Sequence, residues 1–216
     1  MHLSRDHRNV TVLALCQALF ITGQSIMFIL AGLVGADLTE EKALATLPIS
    51  VIIIATTLTT IPASLLMKRI GRKPGFMIGA TFGVIGALIA SYGIQQSNFW
   101  IFVLGTGTIG TYGGFAQYYR FAAADVAESN FKGKAISLVI SGGIVAAFTG
   151  PLLTNYTFDI NVIPFLGSFV TVAILAATAI LMLTLIDIPR PDIAERSSSG
   201  RPLTEIVRNP ELLAAI

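Results

Sequence analysis

Six runs of apolar residues, separated by short polar stretches, succeed one another along this chain at about 10–34, 46–67, 74–94, 99–119, 134–153 and 163–186. A helix needs about 20 apolar residues to cross the roughly 30 Å of hydrocarbon in a bilayer, and each run is long enough. None holds Asp, Glu, Lys, Arg or His away from its ends. A single charge at a helix centre costs about 2.5–3.5 kcal/mol on the insertion scale. The pattern therefore predicts an all-α membrane fold of six transmembrane helices. Pro74 and Pro164 stand near helix starts, where a missing N–H matters little. Gly35, Gly93 and the 155–161 segment fall where helices are expected to stop. The first run is too long for the apolar region of a cleaved signal, about 7–15 residues, and reads as a helix that stays.

After the sixth run the pattern changes. Residues 1–187 form the predicted bundle, and 188–209 read as a polar cytoplasmic linker with a flexible Ser197-Ser198-Ser199-Gly200 stretch. Residues 210–216 read as the start of a truncated seventh span.

Composition fits a lipid-facing surface. Hydrophobic residues make up 54% of the chain and charged ones 12%, with a mean hydropathy of +0.77. Soluble domains carry roughly 25% charged residues. The net charge of +2 is too small to point to nucleic acid. Charge placement is more telling than charge balance. Every Lys and Arg except Lys42 falls before the first run, between the second and third, between the fourth and fifth, or after the sixth. The positive-inside rule then puts both termini in the cytoplasm. The one cysteine, Cys16, lies inside an apolar run and reads as packing.

The loop between the second and third spans, Ser64-Leu65-Leu66-Met67-Lys68-Arg69-Ile70-Gly71-Arg72-Lys73, resembles the loop signature of the major facilitator superfamily from Arg69 to Lys73. It departs from that signature at Ser64, where the family has glycine, and at Lys68, where it has an acid. In the fifth span, Gly142-Gly143 and Gly150-Pro151 resemble in part the glycine-proline motif of the superfamily's antiporter branches. Gln17, the Tyr118–Asp125 run and Arg201-Pro202-Leu203 with Glu205-Ile206 are similar to the CcoA-like branch of bacterial copper and riboflavin importers.

The resemblance implies the N-terminal half of the major facilitator fold, built as two inverted three-helix repeats, in the bacterial cytoplasmic membrane. It also implies alternating-access secondary transport of a small molecule or ion, against a second six-helix half. In that branch the copper-binding Met and His motifs sit on the seventh and eighth spans, beyond these six. An enzyme would need ionisable groups or metal ligands at depth, and the spans hold none, so no catalytic residue, metal site or cofactor is assigned. The competing reading is a half-size, non-transporting membrane receptor or assembly protein acting as an oligomer.

By the same resemblance, spans one and four line the solute cavity. Gln17 and Gln24, seven apart, share one helical face with Ile21 and Phe28. In span four, Thr108, Thr111, Tyr112, Phe115 and Tyr119 form a stripe. The candidate solute-binding residues are Gln17, Gln24, Thr108, Tyr112 and Phe115; the alternative role for such side chains is helix–helix packing. The candidate gating residues are Gly71, Arg72, Arg120, Asp125, Gly150 and Pro151, with an Arg72–Asp125 ion pair tying the loop to span four. Gly75, Gly79, Gly83 and Gly86 in span three, and Gly110 and Gly114 in span four, read as ridges of close helix contact.

Overall fold

The computed structural model describes residues 5–158 and 163–188. The predicted segments 189–209 and 210–216 lie outside the described residues. Among the described residues, seven helices occur in order: α1 Arg5–Leu38, α2 Leu47–Ile70, α3 Arg72–Gln95, α4 Phe99–Ala116, α5 Tyr119–Val126, α6 Lys132–Thr157 and α7 Leu166–Thr184. A 3-10 turn, Lys42–Leu44, precedes α2. The described residues contain no strand. Five helices (α1, α2 with its leading turn, α3, α6 and α7) are long and apolar enough to cross a membrane by length and composition. The sixth run of that kind, α4, has 18 residues, diluted by five glycines and three threonines. It packs on α2 and α3.

Two predicted stops are not stops. Helix α1 runs past Gly35 to Leu38, and α3 runs past Gly93 to Gln95. A Cβ on Gly35 would lie 2.2 Å from the Ala45 carbonyl oxygen, and one on Gly93 would lie 2.5 Å from the Phe102 nitrogen. Both glycines let a neighbouring backbone come close. At the other extreme, α4 ends at Ala116 rather than near residue 119. The chain turns at Gln117 and Tyr118 before α5 begins. Helices α2 and α6 run through Pro62 and through Gly150-Pro151 without a break. Gly71 does end α2. Its φ of 96° lies in the left-handed region that suits glycine, and its N–H donates to the Met67 carbonyl at 2.9 Å.

The packing follows an exchange between two triplets, α1–α2–α3 and α4–α6–α7. The first helix of each triplet packs on the second and third helices of the other: α4 lies on α2 and α3, and α1 lies on α6 and α7. This is the arrangement that two inverted three-helix repeats produce. Glycine makes the crossings close. Gly79 and Gly83 of α3 receive Phe115 and Tyr112, while Gly105 of α4 lies against the backbone of Ala90. Gly142 and Gly150 of α6 lie against α1 at Ala14, Ala18 and Ser25. Without a hydrophobic driving force between helices in lipid, such close contact is what holds them together.

The buried apolar side chains form two clusters stacked along the helices. One contains Leu13, Cys16, Phe76, Tyr119 and Leu183, and the other Ile26, Met27, Leu30, Phe102 and Phe169. The outward surface is equally apolar: Leu58 and Ile61 of α2 are 70% and 71% exposed, and Phe148 of α6 is 69% exposed. Such a surface suits hydrocarbon and not water.

At the end of the bundle that carries the basic residues, the last turn of α7 is held from two sides. Asn9, almost wholly buried, donates to the Asp187 carbonyl at 2.9 Å and accepts from the Asp187 N–H at 3.1 Å. Arg5 pairs with the Asp187 carboxylate at 2.6 Å. Lys73 donates to the carbonyls of Thr184 and Ile186 at 2.7 and 2.8 Å, satisfying oxygens that a helix C-terminus leaves without partners.

Candidate solute site

A small interior cavity lies where α1, α2, α4 and α7 meet, with Gly83 of α3 at one side. Its volume is about 20 Å³, space for a single water. Phe20, Gln24 and Met27 line it from α1, Ile52 and Thr56 from α2, and Tyr112 from α4. None of its lining residues is charged. The polar side chains among its lining residues are Gln24, Thr56 and Tyr112; the Thr56 hydroxyl lies against the Ile52 and Gly110 carbonyls, and the Tyr112 hydroxyl against that of Tyr119.

Of the five residues expected to bind solute, the cavity brings Gln24 and Tyr112 together. The Tyr112 ring stands edge-on to Phe20 at 5.0 Å, and its hydroxyl lies 3.3 Å from that of Tyr119. Gln17 sits two turns along the Gln24 stripe of α1, half-buried and outside the cavity. Thr108 donates its hydroxyl to the Leu104 carbonyl of its own helix at 2.8 Å. Phe115 is buried in the crossing of α4 with α3, against Gly79. These three are not cavity residues in this structure.

Thr56, Phe20 and Met27 line the cavity without having been singled out as solute ligands. Phe20 lies four residues before Gln24 on α1, a spacing that places them on one face. The signal for Thr56 is weaker, because α2 carries Thr56, Thr57, Thr59 and Thr60 in succession.

Four of the six residues expected to gate, Gly71, Arg72, Arg120 and Asp125, lie at the basic end. Arg72 forms an ion pair with Asp125, their side chains 27% and 53% exposed. With Ser64, Met67, Lys68, Tyr118 and Phe121 they line an open groove of about 560 Å³. Arg120 does not join the pair; its guanidinium lies 5.0 Å from the Phe121 ring centroid. Gly71 makes the turn that places Arg72 and Lys73 on different neighbours. Gly150 packs on the Ser25 side chain, and Pro151 is exposed on α6, away from this groove. Among the described residues, no group of three or more His, Cys, Asp or Glu side chains is placed to hold a metal ion.

A helical bundle with an apolar exterior, exchanged triplets and a charge-free interior cavity is the architecture of a membrane carrier. The family model of the Major Facilitator Superfamily matches residues 13–216, and the chain belongs to that superfamily of transporters. Over 214 residues it is 41% identical to the riboflavin transporter RfnT of Brucella anthropi, an alignment covering 97% of this chain and 53% of that protein. The chain thus spans about half the length of the curated relative it matches.

Proposed function

We propose that this chain forms one six-helix wall of a secondary transporter for a small, uncharged, flat and polar solute, with riboflavin the leading candidate. The carrying observation is the uncharged lining where Gln24 and Tyr112 meet beside Phe20 and Met27; at about 20 Å³ this cavity is only a part of the site, which opens to full size against the other half. A flavin has a flat ring system with a pyrimidinedione edge of donors and acceptors. A glutamine carboxamide offers both hydrogen-bonding functions to such an edge, and aromatic and thioether groups suit the ring faces. The name of the Brucella anthropi relative supports the same solute. Copper would call for soft or imidazole ligands, and in this cavity Met27 alone is of that kind.

In this reading the six spans are the first of two halves that rock about a midplane site. The other half would cover Gln17 and Gln24. The basic end faces the cytoplasm of a bacterial cell, residues 1–187 are the bundle, and 188–209 lead towards the second half. Gln17, Thr108 and Phe115 come to the solute in another state of the cycle. The Arg72–Asp125 pair then stabilises one state and opens in the other.

The test is uptake of labelled riboflavin by cells expressing the complete reading frame that contains this chain. Saturable uptake, competed by unlabelled riboflavin, is expected. Its absence in cells that carry the protein in their membrane would reject the solute assignment and leave the fold untouched.

A further inference from the structure

We propose that Thr56 is a positioning residue for solute binding, holding α2 at the separation from α4 that shapes the cavity opposite Gln24. The inference rests on the reading of that cavity as part of the solute site. The seam between α2 and α4 is close. A Cβ on Gly110 would lie 2.5 Å from the Ile52 carbonyl oxygen, one on Gly113 would lie 2.7 Å from the Thr56 hydroxyl, and one on Gly114 would lie 2.7 Å from Thr59 Cβ. The Thr56 hydroxyl lies 2.8 Å from the Ile52 carbonyl on its own helix and 2.9 Å from the Gly110 carbonyl on α4. Its one proton is shared between them.

Much of the remaining surface of α2 is exposed. Ile53, Ile54, Leu58 and Ile61 all point outward. Among the described residues, hydrogen bonds join α2 to the wall formed by α4 and α5 at Thr56 to Gly110, at cavity level, and at the Tyr118 hydroxyl to the Thr60 carbonyl, at the α4–α5 turn. Glycine on α4 supplies closeness but no directional contact, so the Thr56 bond sets the register. Ile52 and Thr56 line the cavity from α2, and Gly110, Tyr112 and Gly113 line it from α4. A shift in this seam therefore moves one cavity wall against the other.

Thr56→Val tests this with little risk to the fold. Valine keeps the branched shape, and both carbonyls retain their own helical partners, so no acceptor is orphaned. Losing an interhelical hydrogen bond of the strength measured within membranes is a change of about 3- to 18-fold in an equilibrium. A rise of that size in the KM for riboflavin is expected in Thr56→Val, with Vmax little changed. Thr56→Ser, which keeps the hydroxyl, should restore the wild-type KM. A merely structural role would lower the amount of folded protein and Vmax and leave KM alone.

A second measurement reads the seam without solute. A Cβ on Gly107 would lie 2.9 Å from Val51 Cγ1. The substitutions Val51→Cys and Gly107→Cys, in the complete protein stripped of native cysteines including Cys16, therefore give a pair for oxidative crosslinking. Crosslinking that slows in Thr56→Val, together with the raised KM, is the expected result. Unchanged crosslinking, or slowed crosslinking with an unchanged KM, overturns the proposal. Loss of riboflavin uptake in every variant and in wild type, with the seam still crosslinking, overturns instead the solute reading and the positioning role that rests on it.

Discussion

Replacing Asn9 with alanine should loosen the whole six-helix ring at a single point. Asn9 is 2% exposed and exchanges two hydrogen bonds with the Asp187 backbone, at 2.9 and 3.1 Å. These bonds join the first turns of α1 to the residue just past α7, 178 positions away in the chain. A typical hydrogen bond contributes about 0.5–1.5 kcal/mol net, so losing both costs about 2 kcal/mol. Neighbouring contacts limit the damage: Lys73 still holds the Thr184 and Ile186 carbonyls, and Arg5 still pairs with the Asp187 side chain. A domain of this size shifts its midpoint by roughly 2–4 °C per kcal/mol, giving a fall of about 4–8 °C. Thermal unfolding of the detergent-purified protein, followed by the fluorescence of its monodisperse fraction, measures this. Asn9→Asp keeps the acceptor for the Asp187 N–H but sets a carboxylate against the Asp187 carbonyl, and should do no better than alanine. An unchanged midpoint in Asn9→Ala would refute the reasoning, because two buried bonds would then contribute nothing.

The Arg72–Asp125 pair, partly exposed, should contribute under about 1 kcal/mol to stability. If it biases one transport state, either Arg72→Asp or Asp125→Arg changes uptake by up to about fivefold with little change in melting, and the double reversal restores uptake; failure of that rescue rejects the pairing. Gly105→Val should strongly impair folding, because its Cβ would come within 2.4 Å of the Ala90 nitrogen where α3 and α4 cross; overpacking of that kind costs about 1–3 kcal/mol or more. Its control is Gly133→Ala, in the first turn of α6, where nothing lies within 4 Å of the added carbon; the midpoint should stay the same or rise slightly, by less than the roughly 0.5–1 kcal/mol of a mid-helix glycine. Equal melting of the two glycine variants would contradict the account of the α3–α4 crossing.

The helices were legible because lipid imposes a simple demand: a span must be long, apolar and internally hydrogen-bonded. Their ends were less so. Gly35 and Gly93 look like helix terminators in a one-dimensional reading, yet each marks a place where another segment presses on the backbone. The turn at Gln117 and Tyr118 interrupts an apolar stretch without proline or charge, and its reason is tertiary: Tyr119 is buried against Phe76, and Tyr118 reaches across to Thr60. The candidate site was half visible. A glutamine inside an apolar run attracts notice, and Gln24 does line the cavity. Phe115 shares a stripe with Tyr112, but Gly79 gives it a different berth. Thr56 stayed hidden for a chemical reason. Threonines in these spans commonly bond the carbonyl four residues back, as Thr57, Thr60, Thr81 and Thr178 do. Only the packing reveals that Thr56 also reaches a second helix.

The central claim, that the charge-free cavity contributes to a site for a flat polar solute, is tested most directly by riboflavin binding to the purified complete transporter, followed by quenching of flavin fluorescence. Wild type should bind saturably. Gln24→Leu, which keeps the size of the side chain and removes its hydrogen bonds, should weaken binding by about 2- to 12-fold, the equivalent of one neutral hydrogen bond. The reverse change at an exposed position on the far side of α1, Leu15→Gln, should leave binding as it was. Identical titrations for wild type and Gln24→Leu, or no binding by a folded wild type, would contradict the account.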